Sequence, residues 1–451
     1  MRFGQPLHET HPHLVQAGDL TPGIPALEYH HRRANLARKL PKNSVAVLVA
    51  ADTKYRSGAV FYEYHQEPNF FYLTGFNEPE AVAVIEKGTS EVEYTFHLYV
   101  RPKDDKAELW DGARSGIQAA QDVFNADEAG DINNIASVLP DILQSAKQVY
   151  TDVGYGPRKN AFQRFMEGGD TKVDGLAKLL QNTNVKPLRQ LMNELRVTKT
   201  DAELDCMRRA GAISGAVFTE AMRNTHRTEK QLWADLTYGF KSQGLDNEAY
   251  VPVIAGGQNA LSIHYVRNDA RLHAGDLVLV DAGGEYGGYI TDITRTWPVG
   301  AAFTPPQRDV YALLLRVQQN CLSFCHADAD MTLDKLHRVA EKTLHSGLKD
   351  LGFDMGTHGL EALFPHHVGH YIGLDVHDAP GYPRTDRLLE NQCITIEPGV
   401  YVPDDSRWPE KFRGVGIRIE DSVRIGKGEA EVLTATAAKG VAEIEELRRQ
   451  A

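Results

Sequence analysis

The sequence predicts two domains, an α/β domain followed by a larger α+β domain. Three observations carry this expectation. The chain has 451 residues, more than the ~100–200 of a typical single domain. Short apolar runs alternate with helical patterns in the first part of the chain, the signature of helices layered on a sheet. Beyond that, the order changes to two helices and then a strand, and this order occurs twice. The boundary is placed near residue 190, giving domains 1–190 and 191–451.

In the first domain, residues 1–25 are rich in Pro, Gly and His and read as an extended arm. Residues 26–40 have helical periodicity, and apolar runs at 45–51, 81–85, 94–100 and 148–153 predict strands. An aperiodic stretch, 154–174, precedes a further helix. In the second domain Thr200 and Glu203 form a capping box ahead of a helix to about residue 224. Thr228 and Gln231 form another, and Thr304-Pro305-Pro306-Gln307 a third with Pro at the first helical position. Thr332 opens a fourth helix. Strands are expected at 250–254, 277–281, 289–297, 393–397 and 416–420. The repeated order suggests a duplication that relates Asp281 to Glu397.

Composition removes several functions. Lys plus Arg number 49 against 61 Asp plus Glu, a net charge of −12, which argues against a nucleic-acid binder. The longest apolar run, 45–51, is far short of the ~18 residues of a membrane span. Four cysteines make no disulfide framework and suit a reducing compartment. Cys321 and Cys325, four apart on a helix, are expected to pack. The start, MRFGQPLHETHPH, has no apolar signal region and suits either a cytosolic start or a form from which a presequence was removed.

Four segments carry chemistry. In LVLVDAGGEYGGYITDITRT (277–296) an apolar strand runs into Asp281, and a returning strand carries Asp292. Either the two carboxylates face each other across a hairpin, or one is a turn residue and the other pairs with Arg295. In PHHVGHYIGLDVHD (365–378) stand His366, His367, His370 and His377, either a metal and acid–base cluster or a His-rich surface loop. ITIEPGVYV (394–402) ends a strand in Glu397, with Tyr401 either a donor or a packed aromatic. In GVGIRIED (414–421) alternation puts Arg418 and Glu420 on one face. Together these supply four carboxylates and a histidine, a donor set for a two-metal centre holding Mn²⁺, Co²⁺ or Zn²⁺. Such a centre polarises a carbonyl and activates water for hydrolysis.

This set, with Asp281-Ala-Gly, TDITRT, the His366–His370–His377 spacing, Ile-Glu397-Pro-Gly and GIRIED in order, resembles the creatinase-like ("pita-bread") metallopeptidases. That family includes aminopeptidase P, prolidase and methionine aminopeptidase. NFFYLTGFNEPEAVAVI (69–85) and ELWDG (108–112) resemble the N-terminal domain of aminopeptidase P. The opening, GQPLHETHPHL followed by LTPGI, is similar to the eukaryotic organellar branch, which comprises Xaa-Pro aminopeptidase 3 and the mitochondrial intermediate-cleaving peptidase. The resemblance implies a ribonuclease-H-like N-terminal domain and a pita-bread catalytic domain. It implies two divalent ions, foremost Mn²⁺, with Asp281 on one, His370 and Glu397 on the other, and Asp292 and Glu420 bridging. Glu397 then also shuttles a proton, His264 and His377 face the scissile bond, and His366 and Arg418 support them. The implied activity is release of a single N-terminal residue from unstructured peptides or imported proteins by a homodimer, in mitochondria or alternatively the cytoplasm. Strictly proline-directed cleavage, a prolidase, or a non-catalytic binding protein are the alternatives. One departure is that Leu-Glu-Asn-Gln (389–392) replaces the family's Leu-x-Pro-Gly turn before the Glu397 strand.

Some signals are false. HETH (8–11) has only two residues between its histidines and is not the H-E-x-x-H zinc motif. AGGQN (255–259) lacks Gly-Lys-Ser/Thr and is expected to be a turn lining the substrate site. Trp110 is either a core aromatic or part of a loop that reaches a neighbouring subunit.

Overall fold

The computed structural model describes residues 2–153, 180 and 184–450. The aperiodic stretch 154–174 and nearly all of the segment after it up to 183 lie outside the described residues. The chain divides into two compact units, Met1–Leu195 and Arg196–Ala451.

The first unit is built on a six-stranded mixed sheet. Its centre is an antiparallel meander of Ser44–Val49, Val82–Lys87 and Thr95–Val100. Gln148–Tyr150 adds parallel to Ser44–Val49, and Glu128–Asp131 adds parallel to Thr95–Val100. The central strands are β-branched and buried along nearly their whole length, as strands covered on both faces must be. The helix Ala26–Lys39 follows the arm, which is not free: Leu7 and Val15 are buried, and Gln5 accepts from Asn77 N and donates to the Gly75 carbonyl. Trp110, on the helix Asp105–Asp111, is 85% exposed, so it belongs to no core of the described chain.

The second unit repeats one order twice. Helices Asp201–Arg223 and Glu229–Ser242 lead to an antiparallel sheet of Val253–Gly256, Leu277–Ala282 and Ile293–Pro298. Helices Pro305–Leu322 and Leu333–Asp350 lead to a second antiparallel sheet of Cys393–Ile396, Asp421–Arg424 and Glu431–Val432. The Asp281 strand is central in its sheet, whereas Glu397 follows an edge strand of the other. The hairpin Gly399–Tyr401 with Gly416–Arg418 stands beside them. A bridge between Thr294 and Glu420 ties the halves together.

Local chemistry sets the ends of these helices. Thr200 and Glu203 exchange reciprocal bonds, 2.8 Å from the Thr200 amide to Glu203 Oε2. Thr332 Oγ1 accepts from the Lys335 amide. Each such cap stabilises by about 1 kcal/mol. A continuous apolar core then fixes the helices against the sheets, with Trp297, Phe218, Val310 and Leu336 among its fully buried members. All four cysteines are buried thiols outside any disulfide, Cys321 and Cys325 within this core. Among the described residues no helix is long and apolar enough to cross a membrane.

Three expected strands differ in extent, and each difference bears on the site. The strand expected from 250 begins at Val253, leaving Tyr250 in an irregular approach. The strand expected over 289–297 breaks at Thr291 and Asp292, and that over 416–420 breaks at Ile419 and Glu420. A ladder sends alternate side chains to opposite faces; Arg418 and Glu420, two residues apart, both line the cavity, so that alternation persists through the break at Ile419. The Leu-Glu-Asn-Gln turn is accommodated by Asn391 at φ +69°, a left-handed conformation that asparagine tolerates.

Candidate metal centre

The two sheets meet around a cavity of about 300 Å³. Its floor holds Asp281, Asp292, His370, Glu397, Arg418 and Glu420, and His264 and His377 lie nearer its mouth. All nine residues singled out from the sequence therefore come together, His366 through its contact with Glu397.

Asp281 and Asp292 do face each other, although a second small hairpin, Gly284–Tyr286 with Tyr289–Ile290, is inserted between their strands. Tyr250 Oη lies 2.7 Å from Asp281 Oδ1 and 2.5 Å from Asp292 Oδ1. One phenolic proton cannot serve two carboxylates. Arg295 pairs with neither: it donates to Asp421 Oδ1 at 2.7 Å and to the carbonyls of Glu420, Ala437 and Ala438. The alternative pairing left open by the sequence is thereby removed.

Among the described residues Arg418 is the one guanidinium on this floor. It donates from Nη2 to Asp281 Oδ2 at 2.6 Å, from Nη1 to Tyr401 Oη at 2.7 Å, and from Nε to Thr294 Oγ1 at 3.0 Å. Thr294 passes its own proton to Glu420 Oε2 at 2.6 Å. His370 points Nε2 at Asp292 Oδ2 (3.5 Å) and Glu397 Oε1 (3.6 Å), while Nδ1 lies 3.0 Å from the Tyr371 carbonyl. A carbonyl only accepts, so Nδ1 carries a hydrogen, the arrangement that presents Nε2 of a neutral ring to a metal.

The loop bearing His366 and His370 presses on the strand Cys393–Ile396. The Thr395 amide donates to the His370 carbonyl and the Glu397 amide to that of Val368. Only glycine fits at 369, because a Cβ there would lie 2.0 Å from the Thr395 carbonyl oxygen. Thr395 Oγ1 accepts from the His370 amide and reaches Glu397 Oε1 at 3.4 Å. His366 Nδ1 lies 2.9 Å from the His367 carbonyl and 3.5 Å from Glu397 Oε2. Burial, aided by Arg418, pushes its pKa down to about 3, so the ring is neutral. Nδ1 is therefore its donor and Nε2 accepts from Tyr401 Oη at 3.0 Å, completing a directed chain from Arg418 through Tyr401 to His366. Tyr401 is a buried aromatic whose hydroxyl proton is directed to His366.

Electrostatics show what the floor requires. Among the described residues four carboxyls share it with one permanent cation. With protons the only mobile positive charges, burial and mutual repulsion raise Asp281, push Glu397 up to about 7 and lift Glu420 well above the usual carboxylate range. Burial raises Asp292, but His370, Tyr250 and Arg418 together outweigh it and hold Asp292 below its usual range. His370, disfavoured as a cation by burial, is nevertheless pushed up to about 9 by Asp292 and Glu397. Asp292, His370 and Glu420 offer ligand atoms all within 4.8 Å of one another. A buried surplus of negative charge with oxygen donors and one imidazole fits divalent cations.

Three contributors were not singled out from the sequence. Thr294 and Thr395 each lie two residues from a carboxylate, so strand alternation is a signal by which they could have been found. Tyr250 carries no local signal, being 31 residues from Asp281 and 42 from Asp292. The 255–259 turn is tied to Glu229, which accepts from the Gly256 amide and Asn259 Nδ2.

The Metallopeptidase family M24 profile matches residues 205–427, and the Aminopeptidase P, N-terminal domain profile matches residues 29–150. Intermediate cleaving peptidase 55 of Saccharomyces cerevisiae is 43% identical over 98% of this chain and 88% of its own length. The chain belongs to metallopeptidase family M24. Xaa-Pro aminopeptidase 3 of Homo sapiens is 35% identical over 100% of the chain and 91% of its own length. Intermediate cleaving peptidase 55, mitochondrial, of Arabidopsis thaliana is 37% identical over 99% and 87%. The crystal structure of Icp55 from Saccharomyces cerevisiae superposes with a TM-score of 0.87 at 40% identity, covering 96% of this chain and 99% of that one. The protein is an M24 metalloaminopeptidase of the Xaa-Pro aminopeptidase type, acting on peptides or protein N-termini. Its fold is the aminopeptidase P fold, an N-terminal domain followed by a pita-bread domain.

Proposed function

We propose that this protein removes one residue from the N-terminus of imported mitochondrial proteins after their presequence has been cut away. The observation that carries the chemistry is the surplus of buried carboxylates around His370 on the cavity floor. The similarity to intermediate cleaving peptidases, one of them named mitochondrial, supports the substrate and the compartment. Residues 1–190 serve as the aminopeptidase P-type N-terminal domain and 191–451 carry the reaction. The exposed Leu109 and Trp110 supply a surface for a homodimer.

Asp281, Asp292, His370, Glu397 and Glu420 would hold the divalent ions, two Mn²⁺ in this reading. When bound, the ions supply Lewis acidity toward the scissile carbonyl and lower the pKa of water at the centre. The side chains do the rest. Glu397 carries a proton toward the leaving amine. His264 and His377 donate to the carbonyl oxygen and hold the peptide. Arg418 fixes Asp281 and, through Tyr401 and His366, limits the movement of Glu397.

A second reading, strictly proline-directed cleavage, is favoured by the full-length similarity to Xaa-Pro aminopeptidase 3. Mass spectrometry of a peptide panel with Mn²⁺-loaded protein separates the two. The panel varies the first residue (Tyr, Leu, Phe, Arg, Gly) with Pro or another residue second, beside a Glu397→Ala control. Loss of one bulky residue regardless of Pro is expected. Loss only before Pro establishes the second reading, and silence with metal bound returns the assignment to a prolidase or a binding protein.

A further inference from the structure

A second buried charge cluster lies one residue beyond His377 and outside the cavity floor. Lys199 Nζ donates to Asp378 Oδ2 at 2.8 Å. Arg196 Nη2 donates to Asp378 Oδ1 at 2.5 Å and to Asp375 Oδ2 at 2.7 Å. The side chains of Arg196, Lys199 and Asp378 are 4%, 1% and 1% exposed. Lys199 also closes back on the Arg196 carbonyl at 2.8 Å. Burial favours the neutral acid, but the two cations hold the Asp378 carboxyl below its usual range.

The backbone around this cluster is unusually constrained. Ala379 has φ +48°, a left-handed conformation that alanine avoids, and Pro380 follows it. The Asp378 amide is tied to the Tyr371 carbonyl at 2.9 Å. Gly373 faces the cluster so closely that a Cβ would lie 2.4 Å from Asp378 Oδ2 and 2.9 Å from Lys199 Nζ.

Neither feature is an efficient source of stability. Apolar replacements of buried ion clusters are often neutral or stabilising, and a strained φ costs about 1–3 kcal/mol. Such features persist where position matters. His377, the residue before Asp378, stands edge-on against His370, with ring centroids 4.4 Å apart at 89°, and faces the cavity.

We propose that Lys199, Arg196 and Asp378 form a clamp that aims His377 at the scissile bond. They are positioning residues. The inference rests on the reading above that His377 contacts the peptide. The clamp spans 179 residues of sequence from Lys199 to Asp378, so it couples the entry to the first helix of the catalytic unit with the loop that faces the substrate.

The test is a double-mutant cycle between Lys199→Met and His377→Ala, with kcat, KM, bound Mn²⁺ per chain and melting temperature measured for each variant. A small misplacement of a reacting group costs rate more than binding, so Lys199→Met is expected to lower kcat about tenfold or more with KM moved less than about threefold. Bound Mn²⁺ should not change. In the His377→Ala background the same substitution should cost less than about twofold, because groups acting through one residue are not additive. Arg196→Lys, which keeps a cation beside Asp378, should lose less. An equal loss in both backgrounds leaves His377 in its role and overturns the clamp. If His377→Ala alone has no effect, the peptide-contact reading falls and the clamp falls with it. Should Lys199→Met not accumulate as folded protein, Asp375→Asn loosens the more exposed arm of the clamp and enters the same cycle with the same criteria.

Discussion

Glu420 and Asp421 are neighbours in sequence, and both are buried in the second unit, yet their environments are opposite. Asp421 receives Arg295 Nη2 and Thr434 Oγ1 on one oxygen, and Gln318 Nε2 and Lys439 Nζ on the other. Those partners outweigh burial and push its pKa down to about 2. Glu420 receives one hydroxyl, from Thr294, and faces Asp292, Glu397 and Asp281, which with burial raise it well above the usual range. One carboxylate is matched within the chain and braces the fold. The other is left unmatched in a cavity, which marks a place where positive charge must come from outside. Burial alone does not distinguish the two; the balance of charge does.

The largest effect is expected at Glu420. Glu420→Gln should lower kcat/KM by about a hundred- to a thousandfold, the cost of removing a group that stabilises charge at the reacting centre. In chelator-treated protein the same change should leave the melting temperature level or raise it, because one member of a like-charge cluster has gone. A clear fall in melting temperature there would show that Glu420 is a structural group like its neighbour.

Asp421→Asn should do the reverse. It leaves Arg295 and Lys439 facing a neutral amide, so chemical denaturation should report a loss of about 3–5 kcal/mol, while bound Mn²⁺ per folded chain is retained. The pH dependence has a definite sign. A carboxyl depressed in the folded state contributes fully above its ordinary value of 3.8, and that contribution is lost as pH falls toward about 2. Wild type should show this acid limb, and Asp421→Asn should lack it.

The smallest effect is expected at Tyr250, inside the cavity. Tyr250→Phe removes the hydroxyl that bridges Asp281 and Asp292. Mn²⁺ affinity, measured by competition with a chelator, should weaken by about tenfold, the scale of losing a group that orients metal ligands. Unchanged affinity would make the phenol a packing group.

What was legible in the sequence followed the range of the interactions. The capping residues Thr200, Glu203 and Thr332 could be read because their bonds close within three residues. The carboxylates could be read because Asp281 and Glu397 end apolar runs, where an unpaired charge has no other reason to stand. The facing of Asp281 and Asp292 was one of two readings of a strand that returns, and the inserted hairpin between them was not legible at all. Tyr250 escaped because nothing beside it in the chain distinguishes it from a core aromatic. The clamp escaped for the same reason: Arg196 and Lys199 look like ordinary basic residues at a helix entry until Asp378 is brought against them.

Local sequence alone pointed to the two-part architecture, the helix starts, and the residues from Asp281 to Glu420 that line one cavity. Periodicity, capping and the anomaly of charge at strand ends are all properties of neighbouring residues. Tertiary structure alone decided which charges are matched and which are not. Glu420 and Asp421 are adjacent in the chain and leave the backbone toward different partners, Thr294 on one side and Arg295 with Lys439 on the other. Charge balance is a sum over neighbours in space, and folding supplies those neighbours from segments more than a hundred residues apart.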